Sequence, residues 1–248
     1  MKIVPKLGGK DNMATMCMEC RALTFPPKSQ YVEYGSITHF ETAMITKTHW
    51  ETVYQEKEPD EVSWYRPHLE TSIQLIKNAA PDLSAAIIDI GGGESTLVDD
   101  LLSVGYRNVS VLDISSEAIQ AVRQRLGASA NKIEWLVDDI TRADLPQQRY
   151  AVWHDRAVFH FLVEPEQRRA YVRQALRSLA PSGHLVMAVF DPEGPLQCSG
   201  LDVVRHDTQL LCEHLGPRFA LISDTFEVHR TPGGRPQQFL YAHFKLRD

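Results

Sequence analysis

The sequence predicts an α/β protein whose core is a doubly wound, seven-stranded and mostly parallel sheet that ends in a C-terminal antiparallel hairpin. Short apolar runs alternate with stretches of helical periodicity, which is the pattern of parallel strands joined by crossover helices. Two longer runs with apolar–polar alternation close the chain, and a connection rich in Pro and Gly joins them. The predicted strands cover residues 85–90, 109–113, 133–137, 150–155, 184–190, 219–228 and 237–245.

Helices are predicted between the strands from apolar stripes and from residues that favour helix ends. Gly105 and Gly127 each follow an apolar-periodic segment and are expected to end a helix, while Pro165 suits a first helical position. The predicted helices cover residues 67–78, 96–104, 115–126, 165–179 and 207–216.

The first predicted strand runs directly into three glycines, Gly91-Gly92-Gly93. Because glycine lacks a Cβ atom, it permits positive φ and lets a ligand approach the backbone closely. The next strand ends on Asp113, and an acid at this strand tip is placed to bind the two hydroxyls of a ribose. Residues 84–113 therefore predict a nucleoside-binding βαβ unit.

The glycine loop does not match the fingerprint of dinucleotide-binding domains. That fingerprint, G-x-G-x-x-G, needs a third glycine that lets helix and strand pack closely, and Thr96 stands at that position. A nicotinamide-dependent oxidoreductase is therefore disfavoured.

Residues 89–95, DIGGGES, are similar to the acid-x-G-x-G-x-small signature of class I S-adenosylmethionine-dependent methyltransferases. The segments 48–54 (THWETVY), 62–65 (VSWY) and 154–162 (HDRAVFHFL) also resemble a small single-domain branch of that superfamily. The resemblance implies a Rossmann-like methyltransferase fold, of which the closing hairpin is a further mark, and S-adenosylmethionine as the cofactor.

The resemblance also implies which residues contact the cofactor. An acid after the third strand binds the adenine amino group in the family, and Asp139 matches better than Asp138 because it directly precedes Ile140; the alternative is a solvated turn. Segment 48–65 is either a lid, whose aromatic faces attract a sulfonium cation, or a helix that packs on the sheet. The predicted cofactor-binding residues are Tyr54, Trp64, Asp89, Gly91, Gly92, Gly93, Asp113, Ile114, Asp138, Asp139, Ile140 and His154.

The methyl acceptor is expected between the loop after the fourth strand and the loop 191–204, which carries Cys198. Asp155 and His160 are the candidate catalytic residues, as groups that orient the acceptor or accept its proton. The alternative for His160 is a structural histidine. A general base is optional, because a thiolate or a neutral amine needs none at the moment of attack, whereas a hydroxyl does.

Three functions are compatible with these residues. A small-molecule methyltransferase is favoured by the loop-rich acceptor side and by the lack of an appended recognition domain. A protein-lysine methyltransferase is the alternative, because some relatives with similar Trp-Glu and Ser-Trp segments have that activity. A module that binds S-adenosylmethionine without catalysis is the third. The acceptor and the methylated atom stay open at this point.

Bulk composition limits which classes of partner and which cellular compartment are expected for the protein. The net charge of −6 argues against a nucleic-acid surface, and no apolar run is long enough to cross a membrane. The N-terminus has no apolar signal core, so a cytoplasmic protein is expected, as a monomer or homodimer. Residues 1–43 lack periodicity and are expected to be a poorly ordered extension of a domain spanning residues 44–248. Cys17 and Cys20 form a C-x-x-C without a second pair, and no metal site is expected.

Overall fold

The computed structural model describes residues 39–248, with side chains from Thr46 onward. Apart from the start of the first helix, the predicted extension 1–43 lies outside the described residues, as do Cys17 and Cys20. The division of the chain at Met44 stays a prediction.

The predicted sheet is confirmed. Within the described part of the chain, seven strands form one sheet in the order β3-β2-β1-β4-β5-β7-β6. Strands β1 to β5 are mutually parallel, and β7 runs antiparallel to both of its neighbours, β5 and β6. The strands are β1 Ala86–Ile90, β2 Asn108–Asp113, β3 Ile133–Val137, β4 Tyr150–Arg156, β5 Leu179–Phe190, β6 Phe219–Arg230 and β7 Pro236–Leu246.

Six α-helices accompany the sheet in the described range, together with two 3₁₀ turns at 127–132 and 159–161 and a two-residue ribbon pairing 197–198 with 201–202. No helix between residues 39 and 248 is long and apolar enough to cross a membrane. The helices are α1 His39–Glu56, α2 Glu70–Ala79, α3 Leu97–Val104, α4 Ser116–Leu126, α5 Pro165–Ser178 and α6 Thr208–Leu215.

Two hydrophobic layers, one on each face of the sheet, show that the fold is doubly wound. Ile87 of β1 is fully buried in a cluster with apolar residues of α2, α3 and α4. Its neighbour Ile88 points to the opposite face and belongs to a cluster with residues of α5 and α6. Because side chains alternate along a strand, a central strand buried on both faces must be apolar throughout, as β1 is apart from Asp89.

The start of β5 differs from the prediction. The sequence predicts this strand from residue 184, with Pro181, Ser182 and Gly183 as a turn before it, but β5 already begins at Leu179. Leu179 pairs with Tyr150 and His184 pairs with Val152, so the intervening residues form an outward bulge. Ser182 takes a positive φ of 56° within it. The turn residues are therefore accommodated inside a strand that pairs on both sides of them.

The direction of strand order reverses between β1 and β4, which are hydrogen-bonded neighbours. Open α/β sheets bind ligands in the crevice at the carboxyl ends of strands beside such a reversal. Asp89 lies opposite His154 and Ile90 opposite Asp155 at this place, so the crevice is lined by residues of both strands.

Candidate active site

A cavity of about 390 Å³ opens at the carboxyl ends of β1, β2 and β4. This volume lies within the range of small-molecule and cofactor sites. The side formed by the ends of β1 to β3 carries acids and is called here the carboxylate half: Asp89, Glu94, Asp113, Asp138 and Asp139. The side formed by α1, the end of β4 and the loop 191–204 is called the aromatic half: Trp50, Trp64, Tyr65, Arg156, Phe161 and Cys198.

The glycine loop is packed so tightly that side chains cannot replace its hydrogens. A Cβ on Gly91, whose φ is +63°, would collide with Val158 Cγ2. A Cβ on Gly92 would lie 2.5 Å from Val111 Cγ1 and 3.0 Å from Asp89 Oδ2. Both glycines border the cavity, so the loop presents bare backbone to a ligand.

Asp113 is fixed at the tip of β2 by two backbone donors. Its Oδ2 accepts the N–H of Gly93 at 2.7 Å, and its Oδ1 accepts the N–H of Ser115 at 2.8 Å. The pKa of Asp113 is raised to about 6, mainly by burial. The two hydrogen bonds oppose this rise, whereas the nearby Asp89 and Glu51 add to it. A carboxylate offers about four acceptor positions, so two stay available to a ligand in the cavity. Gly93 itself does not border the cavity; it orients Asp113 instead.

Asp89 and His154 form a buried chain of hydrogen bonds beneath the glycine loop. Nδ1 of His154 lies 2.7 Å from Asp89 Oδ1, and its Nε2 lies 2.9 Å from the hydroxyl of Ser72 on α2. All three residues are almost fully buried, while Asp89 and His154 also border the cavity. These hydrogen bonds hold the Asp89 carboxylate in one position and connect α2 to the end of the sheet.

The acids after β3 form an ordered turn. Asp139 Oδ1 accepts hydrogen bonds from the backbone and the hydroxyl of Thr141, and the N–H of Asp138 donates to the carbonyl of Asp113 at 3.0 Å. Asp138, Asp139 and Ile140 all border the cavity, as does Ile114 after β2. This placement is compatible with adenine binding at Asp139, which stays a prediction.

Four rings from three segments meet in the aromatic half. Trp50 of α1 packs edge-on against Trp64 at 5.8 Å and against Phe161 at 5.1 Å between ring centroids. Tyr54, one turn after Trp50, lies 6.3 Å from Trp64 and also close to Gly93. The predicted lid and the predicted packing helix are thus one feature, because α1 rests on other rings and turns Tyr54 toward the cavity.

Glu51 was not predicted as a site residue, yet it holds α1 in place. Its two carboxylate oxygens accept hydrogen bonds from the hydroxyls of Ser115 and Ser116 and from the N–H groups of Ser116 and Glu117, at 2.6–3.0 Å. Burial alone would raise the pKa of Glu51, but these hydrogen bonds lower it to about 2. Glu51 therefore caps the N-terminus of α4 directly behind Asp113.

The geometry does not support the predicted catalytic role of Asp155. Its carboxylate is fully buried, does not border the cavity, and accepts hydrogen bonds from the Tyr171 hydroxyl at 2.7 Å and from the N–H groups of Val158 and Phe159. Burial raises its pKa to about 6, and the Tyr171 hydroxyl opposes this rise. Asp155 stabilises the turn that follows β4.

His160 is likewise placed away from the cavity. Its Nδ1 accepts the N–H of Phe190 at 3.3 Å, and no atom of the ring is exposed. Burial lowers its pKa to about 3, helped by the neighbouring His206 and Arg156. A histidine this hard to protonate is a poor proton acceptor at neutral pH, so the structural alternative fits the geometry better.

Two residues that are not among the predicted site residues border the cavity with polar atoms that lack a partner in the described range. Glu94 is only 6% exposed, and its Oε2 has no hydrogen-bond partner among the described residues. Burial raises its pKa to about 7; Arg125 opposes this rise, whereas Glu58 and Asp113 add to it. Nη2 of Arg156 is also buried without a partner in the described range. Glu94 lies within the segment 89–95 and Arg156 within the segment 154–162, but tertiary packing alone decides that these atoms have no partner.

Together, the switch in strand order, the bare glycine loop and the carboxylate at the tip of β2 define an α/β protein that binds a nucleoside-containing ligand. The closing antiparallel hairpin separates it from dinucleotide-binding domains. Comparison with known proteins narrows the class further.

A family model described as a methyltransferase domain matches residues 87–183. The eEF1A lysine and N-terminal methyltransferase of Mus musculus is 28% identical over 138 residues, which are 56% of this chain and 19% of that protein. This chain thus spans about a fifth of the length of that relative.

Solved structures share the fold. The 1,6-didemethyltoxoflavin-N1-methyltransferase of Burkholderia thailandensis superposes with a TM-score of 0.62 at 18% identity, covering 88% of this chain and 94% of its own. The N-methyltransferase NodS of Bradyrhizobium japonicum has a TM-score of 0.63 at 16% identity, covering 81% and 100%. Both were solved with S-adenosylhomocysteine. Residues 87–183 thus match a methyltransferase domain, and the fold is the one found in structures of the class I S-adenosylmethionine-dependent methyltransferase superfamily.

The carboxylate half fits the cofactor of this superfamily. Gly91 and Gly92 border the cavity without side chains, and Asp113 keeps free acceptor positions. The unpaired Oε2 of Glu94 suits a ligand that carries positive charge, as a sulfonium with an ammonium group does.

Proposed function

We propose that this protein transfers the methyl group of S-adenosylmethionine to a small molecule held in the aromatic half of the cavity. The observation that carries the proposal is the continuity of the cavity, which runs from the carboxylate half into the space bounded by Trp50, Trp64, Phe161 and Cys198. A cofactor bound on one side would thus share an enclosed space with an acceptor on the other.

The roles of the cavity residues follow from their positions. Asp113 would bind the ribose hydroxyls, and Asp139 with Ile140 the adenine. The cofactor supplies an electrophilic methyl group on sulfur. Trp50, Trp64 and Phe161 exclude water from the space beside it, and Tyr54 closes the same space from α1. Alignment of two reactants at about 3–3.5 Å supplies several kcal/mol of a barrier, so placement is the main task of these residues.

The aromatic half, where the acceptor would bind, offers no general base. Neither Asp155 nor His160 borders the cavity, and burial raises the pKa of the Cys198 thiol, which favours its protonated form. Burial also raises the pKa of Tyr54 well above its ordinary value, so its hydroxyl stays protonated at neutral pH and cannot serve as a base. A neutral amine or a thiolate, which needs no deprotonation during attack, is therefore the class of nucleophile that fits.

A lysine in a protein is the second candidate acceptor. It is favoured by the relatives named as eEF1A lysine methyltransferases, in mammals and in Drosophila melanogaster. A neutral lysine amine would also react without a base.

The test is transfer of labelled methyl from S-adenosylmethionine into a cell extract that is then separated into a small-molecule filtrate and a macromolecular fraction. We expect label in the filtrate. Label confined to protein would overturn the small-molecule proposal in favour of lysine methylation. Label in neither fraction, with the cofactor bound in calorimetry, would point to a non-catalytic module. Asp113→Ala serves as the control that cannot bind the cofactor well.

We also propose that the protein acts in the cytoplasm, as a monomer or homodimer, without a nucleic-acid partner. Cys198 and Cys212 are free thiols, which is typical of a reducing compartment. The net charge of −6 disfavours contact with phosphate backbones.

A further inference from the structure

Arg156 has an unusual environment for an arginine beside an active-site cavity. It is the last residue of β4 and borders the aromatic half. Its Nε donates to the hydroxyl of Tyr241 at 3.1 Å, its Nη1 donates to the carbonyl of Trp64 at 3.0 Å, and its guanidinium carbon lies 4.8 Å above the ring of Phe239. Three neighbours, two of them on β7 and one in the loop after α1, thus hold the guanidinium in one orientation.

None of these neighbours carries a negative charge. No carboxylate among residues 46–248 pairs with Arg156, and its Nη2 is the guanidinium nitrogen left without a partner there. Other arginines near the cavity differ: Arg66 pairs with Glu227 and Glu70, and Arg125 pairs with Asp99. Arg156 is half-buried at the wall of the cavity, where an anionic ligand would supply the missing counter-charge.

We propose that Arg156 binds a carboxylate of the methyl acceptor, so that the acceptor is a small molecule carrying a carboxylate in addition to its nucleophilic atom. This inference rests on the proposed function, because it places the acceptor in the aromatic half. A carboxylate there would supply both the missing counter-charge and an acceptor for the N–H groups of Nη2.

The same contact sets the position of the nucleophile. Arg156 is anchored to the backbone of Trp64 and to β7 through Tyr241, so a carboxylate bound to it would have a defined place relative to the rings of Trp50 and Phe161. The positive charge would also repel a lysine ammonium approaching this wall. Arg156 is therefore a specificity-determining residue that selects anionic over cationic acceptors.

The test uses probes of one shape and different charge: benzoate, benzamide and benzylamine, titrated into the protein saturated with S-adenosylhomocysteine and followed by ligand-observed NMR. We expect benzoate to bind about tenfold more tightly than benzamide, as a charge-assisted hydrogen bond gives, and benzylamine most weakly. Equal binding of benzoate and benzamide to the wild-type protein would overturn the proposal.

Arg156→Gln should bind benzoate and benzamide equally, while its affinity for S-adenosylhomocysteine is unchanged. If this variant fails to bind S-adenosylhomocysteine, Arg156→Lys, which keeps the charge, must keep the preference for benzoate. Arg149→Gln is the matched control, because it removes a guanidinium that pairs with Glu134 outside the cavity. A preference for benzoate that persists in Arg156→Gln would contradict the assignment.

The extract experiment separates this inference from the proposed function. Labelled product in the filtrate that is retained by an anion exchanger supports a carboxylate-bearing acceptor. Labelled small molecules that flow through would overturn the role of Arg156 while leaving small-molecule methylation standing. Label in protein alone would remove the proposed function, whereas the benzoate titration would still report on the charge preference of the cavity.

Discussion

The two halves of the cavity differ in charge and in origin. The carboxylate half presents five acids from one continuous stretch, residues 89–139, at the ends of three neighbouring strands. The aromatic half presents rings, a thiol and Arg156, gathered from α1, the following loop, the end of β4 and the loop 191–204. The comparison shows how one cavity can sort two ligands: the cationic cofactor toward the acids, and an acceptor of opposite charge toward the arginine.

The largest expected effect concerns Asp113. Asp113→Ala should weaken the binding of S-adenosylmethionine and S-adenosylhomocysteine about tenfold or more, because hydrogen bonds to a charged group contribute roughly 1.5–3 kcal/mol. Isothermal titration calorimetry measures this. Asp144→Ala removes an exposed carboxylate outside the cavity and should bind normally.

The same variant also tests whether the two halves of the cavity bind their ligands independently. At saturating S-adenosylhomocysteine, Asp113→Ala should keep the wild-type preference for benzoate over benzamide, since Arg156 is untouched. Unchanged cofactor affinity in Asp113→Ala would show that the ribose is bound elsewhere.

A smaller effect is expected for Glu51, which joins α1 to the carboxylate half. Glu51→Ala should lower the free energy of unfolding by about 1 kcal/mol, the usual contribution of a helix cap, and the melting temperature by about 2–4 °C. Because the folded pKa of Glu51 is lowered to about 2, its stabilisation is present above the ordinary pKa of a glutamate and is lost as the pH falls toward 2.

Thermal melts at neutral and acidic pH therefore test the role of Glu51. The difference between wild type and Glu51→Ala should shrink as the pH approaches 2. A constant difference would mean that Glu51 stabilises the protein through packing rather than through its charge. Glu117→Ala removes a neighbouring carboxylate from the first turn of α4 that accepts none of these capping hydrogen bonds.

The smallest effect concerns Glu94 and the charge of the cofactor. Its pKa of about 7 predicts that affinity for S-adenosylmethionine rises a few-fold as the pH passes through 7, because the ionised carboxylate attracts a cation. S-adenosylhomocysteine lacks the sulfonium charge and should respond less. The groups that face Glu94 are Arg125, Glu58, Asp113 and Tyr54.

Calorimetry across pH 6–8 on wild type and Glu94→Gln checks this. The variant should lose the rise in affinity near pH 7. It should keep the change in affinity that belongs to Asp113, whose pKa is about 6. A step near 7 that survives in Glu94→Gln would assign it to another group.

Much of the carboxylate half could be predicted from the sequence, because its parts follow local rules. A strand in the middle of a sheet must be apolar, and close approach of a ligand to the backbone needs glycine. The residue after a parallel strand lies at the ligand-binding edge of the sheet. These rules predict Asp113, Asp138 and Asp139 at one edge, the resemblance to methyltransferases adds Asp89, and all four border the cavity.

The aromatic half depended on tertiary structure. Asp155 lies near the end of β4 and His160 follows that strand, much as Asp113 ends β2. Both turn away from the cavity, because Tyr171 and the backbone of Phe190 bind them from the other side. Glu51 caps a helix 64–66 residues further along the chain, and Arg156 meets Trp64 and Tyr241 across 92 and 85 residues. The sequence by itself determined the sheet and the glycine loop, since these depend on periodicity and backbone conformation, and its resemblance to methyltransferases implied the cofactor. Which polar atoms stay unpaired in the cavity was decided only by packing between distant segments, since a local pattern does not specify the partner of a side chain.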